Sequence, residues 1–249
     1  MKKSNPGFSP HPPRAFKRAG IRDLEFEKFP SCGGAVCQTP SSGTTQTFGR
    51  GRRPPNPELR IANPDEKFAA YERLLLEWSK KMNLVGRSTL SDIRKRHIED
   101  CAGLEEHIPK TKTVIDLGSG AGFPAVVLAI LGYDVAAVES VGKKCAFLEE
   151  VKRELGLFNL KIVNQRVENA LPGIVNAAKN RKNLVFTARG FAPLIRILEM
   201  TQKLDIPYVL LKGEKAALEI AEARKKYRFD AELHPSKTGP GFIIKLTTF

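Results

Sequence analysis

Long apolar runs are missing from this chain of 249 residues. The stretch Val126 to Leu131 is the kind of run that draws the eye, and it falls far short of the ~20 residues a membrane-spanning helix needs. Cysteine is scarce, with 4 in all. Cys32 and Cys37 have no second pair and no histidines at zinc spacing. Cys101 and Cys145 fall on helical patterns, where cysteine serves as a small apolar filler. No metal is therefore expected, and the chain is assigned to a reducing, cytoplasmic compartment. Negative charge is also in short supply: 27 Asp and Glu stand against 41 Lys and Arg, a net +14. That excess suits a polyanionic partner.

What is present divides unevenly. The first 57 residues hold 9 of the 17 prolines, the pairs Pro12-Pro13 and Pro54-Pro55, and the polar run "SSGTTQT". Such a composition does not bury enough apolar surface to offset chain entropy. Residues 1–57 are therefore expected to form a disordered basic tail. Here 10 Lys and Arg face 3 Asp and Glu, so half of the excess charge, +7, sits outside the part expected to fold. The tail lacks the compact apolar segment of a signal peptide, and its "DLEFE" acids fit poorly with an organelle transit peptide.

Order is expected from Asn63. Asn63-Pro64-Asp65-Glu66 reads as an N-cap, a proline in the first turn and acids at the positive end of the helix dipole. Phe68, Tyr71, Leu75, Trp78 and Met82 follow as one apolar stripe. Ser91-Asp92 announces a second helix with Ile93, His97, Cys101 and Leu104 on one face. Residues 58–110 thus read as a helical segment. His97, on that apolar face, suits a core role at least as well as a functional one.

From Thr113 strands and helices alternate: "TVIDLG", "DVAAVES", "LKIVNQ", "NLVFTAR" and "YVLLKG", each followed by a helical pattern. The alternation predicts a mostly parallel sheet covered on both faces. "YRFDAELHP" and "GFIIKLTTF" are separated only by "SKTGPG", too short for a parallel crossover, so they form an antiparallel hairpin. Residues 111–249 have the element order of a Rossmann-like class I S-adenosylmethionine-dependent methyltransferase, an α/β domain with a seven-stranded sheet.

The glycines after the first strand point the same way. In Asp116-x-Gly118-x-Gly120-x-Gly122 they allow a tight turn and close approach of a ligand. The helix expected from about Phe123-Pro124 directs its free N–H groups to the same crevice. A dinucleotide site would carry a third glycine where Phe123 stands, and an acid two residues before the first glycine suits a cationic, amino-acid-bearing ligand. Glu139, 23 residues after Asp116, ends the second strand, where a carboxylate can accept from both hydroxyls of a ribose. "QRVEN" falls where an adenine would lie. The reading is a methyl-donor pocket.

Missing motifs narrow the acceptor. There is no Asn/Asp-Pro-Pro-aromatic motif for amino methylation and no Pro-Cys for attack on a pyrimidine ring, and no evident general base follows the fourth strand. That strand ends in "TARGFAPL", which puts Arg189 at the mouth of the crevice. A nucleophile with a free lone pair, such as guanine N7, needs no proton removed, and orientation alone can be worth ~7–11 kcal/mol. Arg189 suits the guanine edge or a phosphate, or an ion pair at a helix start.

With "EWSKKMNL", "RHIEDC", "VIDLGSGAGFPAVVLAI", "ESVGKKCAFLEEV", "QRVEN", "ARGFAPL" and "LLKG" in this order, the chain from Phe68 to Phe249 resembles the ribosomal RNA small subunit methyltransferase G family. The resemblance implies methylation of guanine N7, giving 7-methylguanosine, in 16S rRNA near the decoding site, with S-adenosylmethionine as donor. It assigns the cofactor loop to Gly118, Ser119, Gly120 and Phe123, the ribose acid to Glu139 and the adenine-side segment to Arg166, Val167 and Glu168. Arg189 becomes the most activity-sensitive residue, also close to the cofactor, and Asp116 and Gly122 complete the loop. His97, Lys143, Lys144 and Lys212 match further family positions that shape the site or meet RNA. The partner is rRNA or the small subunit, and the protein is expected to act as a monomer. Gly190, Ala125 and "NLVG" depart from the family pattern. So does Pro240-Gly241, where many members carry an arginine before the last strand, with Lys237 as a substitute. The rival readings are a methyltransferase for a small molecule or protein, and a non-catalytic RNA-binding protein on the same fold.

Overall fold

A computed structural model describes residues 63–249; the tail expected over residues 1–57 lies outside the described residues. Seven strands follow one another as the alternation predicts: β1 (Thr113–Leu117), β2 (Asp134–Glu139), β3 (Leu160–Asn164), β4 (Leu184–Thr187), β5 (Tyr208–Lys212), β6 (Phe229–Pro235) and β7 (Phe242–Thr248). They make one sheet in the order β3-β2-β1-β4-β5-β7-β6. The first five run parallel. β7 enters antiparallel between β5 and β6, so the C-terminal pair is the expected hairpin.

Helices α1 (Pro64–Ser79), α2 (Asp100–Ala102), α3 (Ala125–Ile130) and α4 (Gly142–Leu155) cover one face, and α5 (Val167–Ala177), α6 (Leu194–Thr201) and α7 (Ala216–Arg224) the other. Side chains of a strand alternate between faces. Val114 accordingly joins the core under α1, α3 and α4, while Ile115 and Leu117 join the core under α5, α6 and α7. Asp116, two residues after Val114, is carried into the first of these cores, where it is fully buried.

α1 starts as its cap predicts, with Asn63 Oδ1 accepting from Asp65 N at 3.0 Å. It buries Phe68, Tyr71 and Leu75 but ends at Ser79, so Met82 continues the stripe from beyond the helix. The second helix is not regular. Ser91 and Asp92 lie inside a 3-10 segment, Arg87–Asp92, followed by a π-helical turn, Arg94–Glu99, the short α2 and a second 3-10 turn, Gly103–Glu106. Ile93, His97, Cys101 and Leu104 are nevertheless all buried, as their spacing demands. Tertiary hydrogen bonds override the helical pattern: the Arg96 carbonyl accepts from Arg189, 93 residues away. Among the described residues no helix is long and apolar enough to cross a membrane, and no cluster of three or more His, Cys, Asp or Glu could hold a metal.

Candidate active site

Strand order reverses between β1 and β4, and in open α/β sheets the crevice outside the carboxyl ends at such a point is where ligands bind. The loops that follow these two strands meet there. Gly118 and Ser119 donate their N–H groups to the Val138 carbonyl at 2.9 and 3.0 Å, pinning the glycine loop to β2. Gly118 has φ +71°, and a Cβ on it would stand 2.2 Å from Phe191 Cδ2 of the loop after β4. Gly120, at φ +57°, donates its N–H to Glu139 Oε2 at 2.9 Å. The other Glu139 oxygen accepts from Val141 N at 2.8 Å. One carboxylate thus holds the glycine loop and the entry to α4 together, from the floor of a cleft.

That cleft measures about 260 Å³ and brings together Gly118, Glu139, Lys144, Arg166, Val167 and Glu168 from the expected set. Ser140, Gln165, Gly190 and Phe191 also line it. No local pattern assigns these four to the site, although Gln165 lies in "QRVEN" and Gly190 and Phe191 in "ARGFAPL". What no local pattern could show is the contact of the Phe191 ring with Gly118.

Four residues of the expected set lie behind the cleft. Asp116, expected to face a cationic ligand, is fully buried, and its Oδ2 accepts from Ala125 N at 3.3 Å. Its Oδ1 has no hydrogen-bond partner among the described residues. Burial pushes this carboxyl up to about 7. Ser119 is buried too, its hydroxyl donating to the Asp116 carbonyl at 3.3 Å. Gly122, at φ +97°, packs inward: a Cβ there would lie 2.4 Å from Val126 Cγ2 and 2.9 Å from the Tyr71 hydroxyl. Phe123 is buried between Tyr71 and His97, with ring centroids 5.4 and 5.0 Å apart. α3 starts at Ala125 rather than at Phe123-Pro124. Its first N–H groups go to Asp116 and, from Val126, to the Gly122 carbonyl, not to the crevice.

Arg189 stands beside this cluster. Its backbone bridges to Leu211 of β5. Its Nε donates to Asp100 Oδ2 at 3.2 Å and its Nη2 to the Arg96 carbonyl at 2.8 Å. The guanidinium carbon lies 5.9 Å from the Phe123 ring centroid. The side chain keeps 25% of its surface exposed, next to Gly190 and Phe191 of the cleft wall. The ion pair foreseen for it is present, with a partner 89 residues away.

His97 stacks on Phe123, and its Nε2 lies 2.9 Å from the Thr89 hydroxyl. Burial first, then the Arg189 charge, lowers its pKa from 6.5 to about 4, so the ring is neutral. Between these values the unfolded chain takes up a proton that the folded chain refuses. His97 therefore contributes stability above pH 6.5 that is lost as pH falls toward 4. Asp116, raised to about 7, works in the opposite sense, favouring the fold more as pH falls. A His97→Gln variant is expected to lose less melting temperature than the wild type between pH 6.5 and 4. Parallel slopes in thermal melts would place the acid sensitivity elsewhere.

The lysines separate. Lys143 is exposed at the start of α4 and Lys144 lines the cleft. Neither they nor Arg166 has an ion-pair partner among the described residues. Lys212, expected to shape the site or meet RNA, does not face solvent: its side chain is 8% exposed, with Nζ 2.7 Å from Glu219 Oε2 and 2.5 Å from the Ala192 carbonyl. Glu219 also accepts from Leu194 N at 2.7 Å. Lys212 thus ties the loop after β4 to α7, and RNA contact is withdrawn for it. Lys212→Ala is expected to lower stability by ~1–3 kcal/mol, because Glu219 and the Ala192 carbonyl lose a charged donor. The salt dependence of RNA binding should not move, and a changed slope would restore Lys212 to the RNA surface. Lys237, the substitute foreseen for a missing arginine, pairs with Glu106.

The family model for rRNA small subunit methyltransferase G matches residues 64–239. A Gluconobacter oxydans protein named ribosomal RNA small subunit methyltransferase G is 39% identical over 189 residues, covering 74% of this chain and 93% of that protein. A Rickettsia prowazekii protein of the same name is 33% identical, over 73% of this chain and 92% of its own. A solved methyltransferase from Geobacter sulfurreducens is 13% identical, with a TM-score of 0.50 over 76% of this chain and 93% of that one, a likeness of fold alone. With the match running from the first residue of α1 to the turn before β7, the chain belongs to the rRNA small subunit methyltransferase G family.

Proposed function

We propose that this protein transfers a methyl group from S-adenosylmethionine to N7 of one guanine in small-subunit rRNA, near the decoding site. The observation that carries the reading is the Glu139 carboxylate, buried at the cleft and bonded to Gly120 N while the glycine loop it holds meets the Arg189 loop at the strand-order reversal. The residues suit the cofactor. Gly118 and Gly120 hold backbone conformations that L side chains rarely adopt, and a Cβ on Gly120 would meet nothing nearer than the Gly118 carbonyl at 3.9 Å, which leaves space for a ligand there. Glu139 offers acceptors for a ribose, and the Gln165–Glu168 segment offers a wall for an adenine. Ser119, Asp116, Gly122 and Phe123 act from behind, by holding the loop. S-adenosylmethionine supplies an electrophilic methyl group.

Arg189 is the catalytic residue in this reading. A guanidinium cannot accept a proton, and guanine N7 has none to give up, so its task is to hold the base edge or the adjoining phosphate in line. Lys143, Lys144 and Arg166 add positive charge at the cleft rim for the RNA backbone. The same reading treats residues 111–249 as the methyltransferase domain and 58–110 as its helical cover, with residues 1–57 as a dispensable tail, in a cytoplasmic monomer that uses no metal.

The test is transfer from labelled S-adenosylmethionine to undermethylated small-subunit RNA, free and in particles, followed by digestion to nucleosides. Label recovered as 7-methylguanosine from one site is the expected result. Cofactor binding without transfer to any RNA would move the acceptor to small molecules or proteins.

A further inference from the structure

We infer that Asp100 is the positioning residue for Arg189, and that the turn between β6 and β7 holds Asp100 to that task. The inference rests on the reading of Arg189 as the catalytic cation. A guanidinium ends a long flexible stem, so two contacts at different nitrogens are needed to set its plane. Asp100 Oδ2 takes Nε at 3.2 Å and the Arg96 carbonyl takes Nη2 at 2.8 Å. Both come from one helical segment, and Nη1 is left without a partner among the described residues. Asp100 is also the one carboxylate in ion-pair range of Arg189 among those residues, and its side chain is only 16% exposed.

The second oxygen of Asp100 faces the hairpin. Oδ1 accepts from the Ser236 hydroxyl at 2.6 Å, with the Thr238 hydroxyl at 3.5 Å. The turn is closed on itself by Ser236 N donating to the Gly241 carbonyl at 2.8 Å and Thr238 N to Ser236 Oγ at 3.2 Å. It sits hard against β5: a Cβ on Gly241 would lie 2.7 Å from the Lys212 carbonyl. The Lys212 ammonium in turn holds the Ala192 carbonyl, three residues beyond Arg189. Arg189 is therefore braced from the "RHIEDC" segment on one side and from the "SKTGPG" turn on the other. This gives a role to a turn whose Pro240-Gly241 departs from the family pattern. It also accounts for "RHIEDC", three of whose residues meet the Arg189 cluster: Arg96 through its carbonyl, His97 through the shared Phe123 ring and Asp100 through its carboxylate.

The test compares full-length wild type with Asp100→Ala, Asp100→Asn and Ser236→Ala. Three quantities are measured: single-turnover transfer to undermethylated small-subunit RNA, affinity for S-adenosylhomocysteine, and hydrogen exchange at the Arg189 Nε–H by NMR, the signal being assigned by its loss in Arg189→Lys. Asp100→Ala is expected to slow transfer by about 10²-fold, the scale of a misplacement near 1 Å, with S-adenosylhomocysteine affinity unchanged. Asp100→Asn, which keeps one oxygen acceptor, should recover much of the rate, and Ser236→Ala should fall between it and the wild type. Exchange at Nε–H should be slow in wild type and fast in Asp100→Ala. An unchanged rate in Asp100→Ala overturns the inference. A faster one overturns it too, since the carboxylate would then be holding Arg189 away from substrate. Parallel losses of rate and cofactor affinity in all three variants would reduce Asp100 to a support of the fold. If the wild type itself methylates no rRNA, the reading of Arg189 as catalytic fails instead. The exchange rates then decide Asp100 alone: equal protection with and without the carboxylate would sink it.

Discussion

Arg189→Ala is expected to slow methyl transfer by at least ~10²–10³-fold, the loss typical of removing one preorganised donor at a reacting centre. Affinity for S-adenosylhomocysteine should stay within a few-fold. The separation follows from position. Gly190 and Phe191 line the cleft, whereas the Arg189 side chain is held by Asp100 and the Arg96 carbonyl. The cleft's polar lining, with Glu139, Lys144, Gln165, Arg166 and Glu168, does not include it. Arg189→Lys keeps the charge but loses the planar fork that meets Asp100 and the Arg96 carbonyl together, so it should recover little of the rate. Single-turnover kinetics beside calorimetric binding will separate the two effects. A wild-type transfer rate in Arg189→Ala would remove the residue from the mechanism, and a matching collapse of cofactor affinity would make it a cofactor ligand.

The second large effect is expected on stability, at Gly122. Gly122→Ala places a methyl 2.4 Å from Val126 Cγ2 and 2.9 Å from the Tyr71 hydroxyl, on a backbone at φ +97°. An L residue in the left-handed region costs ~1–2 kcal/mol, and overpacking a core adds ~1–3 kcal/mol. The sum, about 2–5 kcal/mol, takes much of the ~5–15 kcal/mol that holds an ordinary domain. Tyr71 cannot easily yield, because its hydroxyl donates to the Ala121 carbonyl at 2.6 Å and its ring packs on Phe123. Gly120→Ala is the control. Its Cβ would meet no atom within 3.9 Å, so only the backbone cost of ~1–2 kcal/mol applies. Gly120→Ala should fold and bind cofactor poorly, whereas Gly122→Ala should unfold at lower denaturant whether or not cofactor is present. Equal midpoints for the two variants would refute the division of the loop into a ligand side and a packing side.

That division shows where sequence reasoning stops. Gly118, Gly120 and Gly122 look alike in "DLGSGAGF", spaced evenly and all at positive φ. Yet a Cβ on Gly118 would collide with the Phe191 ring, Gly120 keeps open space beside Glu139, and Gly122 packs against Val126 and Tyr71. The same holds for charges. Lys144 and Lys212 were both assigned to the site, but one lines the cleft and the other is buried against Glu219. Arg189 was legible as an arginine at a strand end, and its partner Asp100, 89 residues earlier, was not.

The sequence by itself determined the strand and helix alternation, the antiparallel close of the sheet, the cap of α1 and the placing of the glycine loop and Glu139 at successive strand ends. These depend on side-chain period, on loop length and on backbone freedom, all of which act over a few residues. Tertiary structure alone decided which face received Asp116, which lysine reached solvent, why the helix around His97 is irregular, and what holds Arg189 in place. Each of those depends on a partner brought from far along the chain, and burial changes what a charged group can do only once that partner is known.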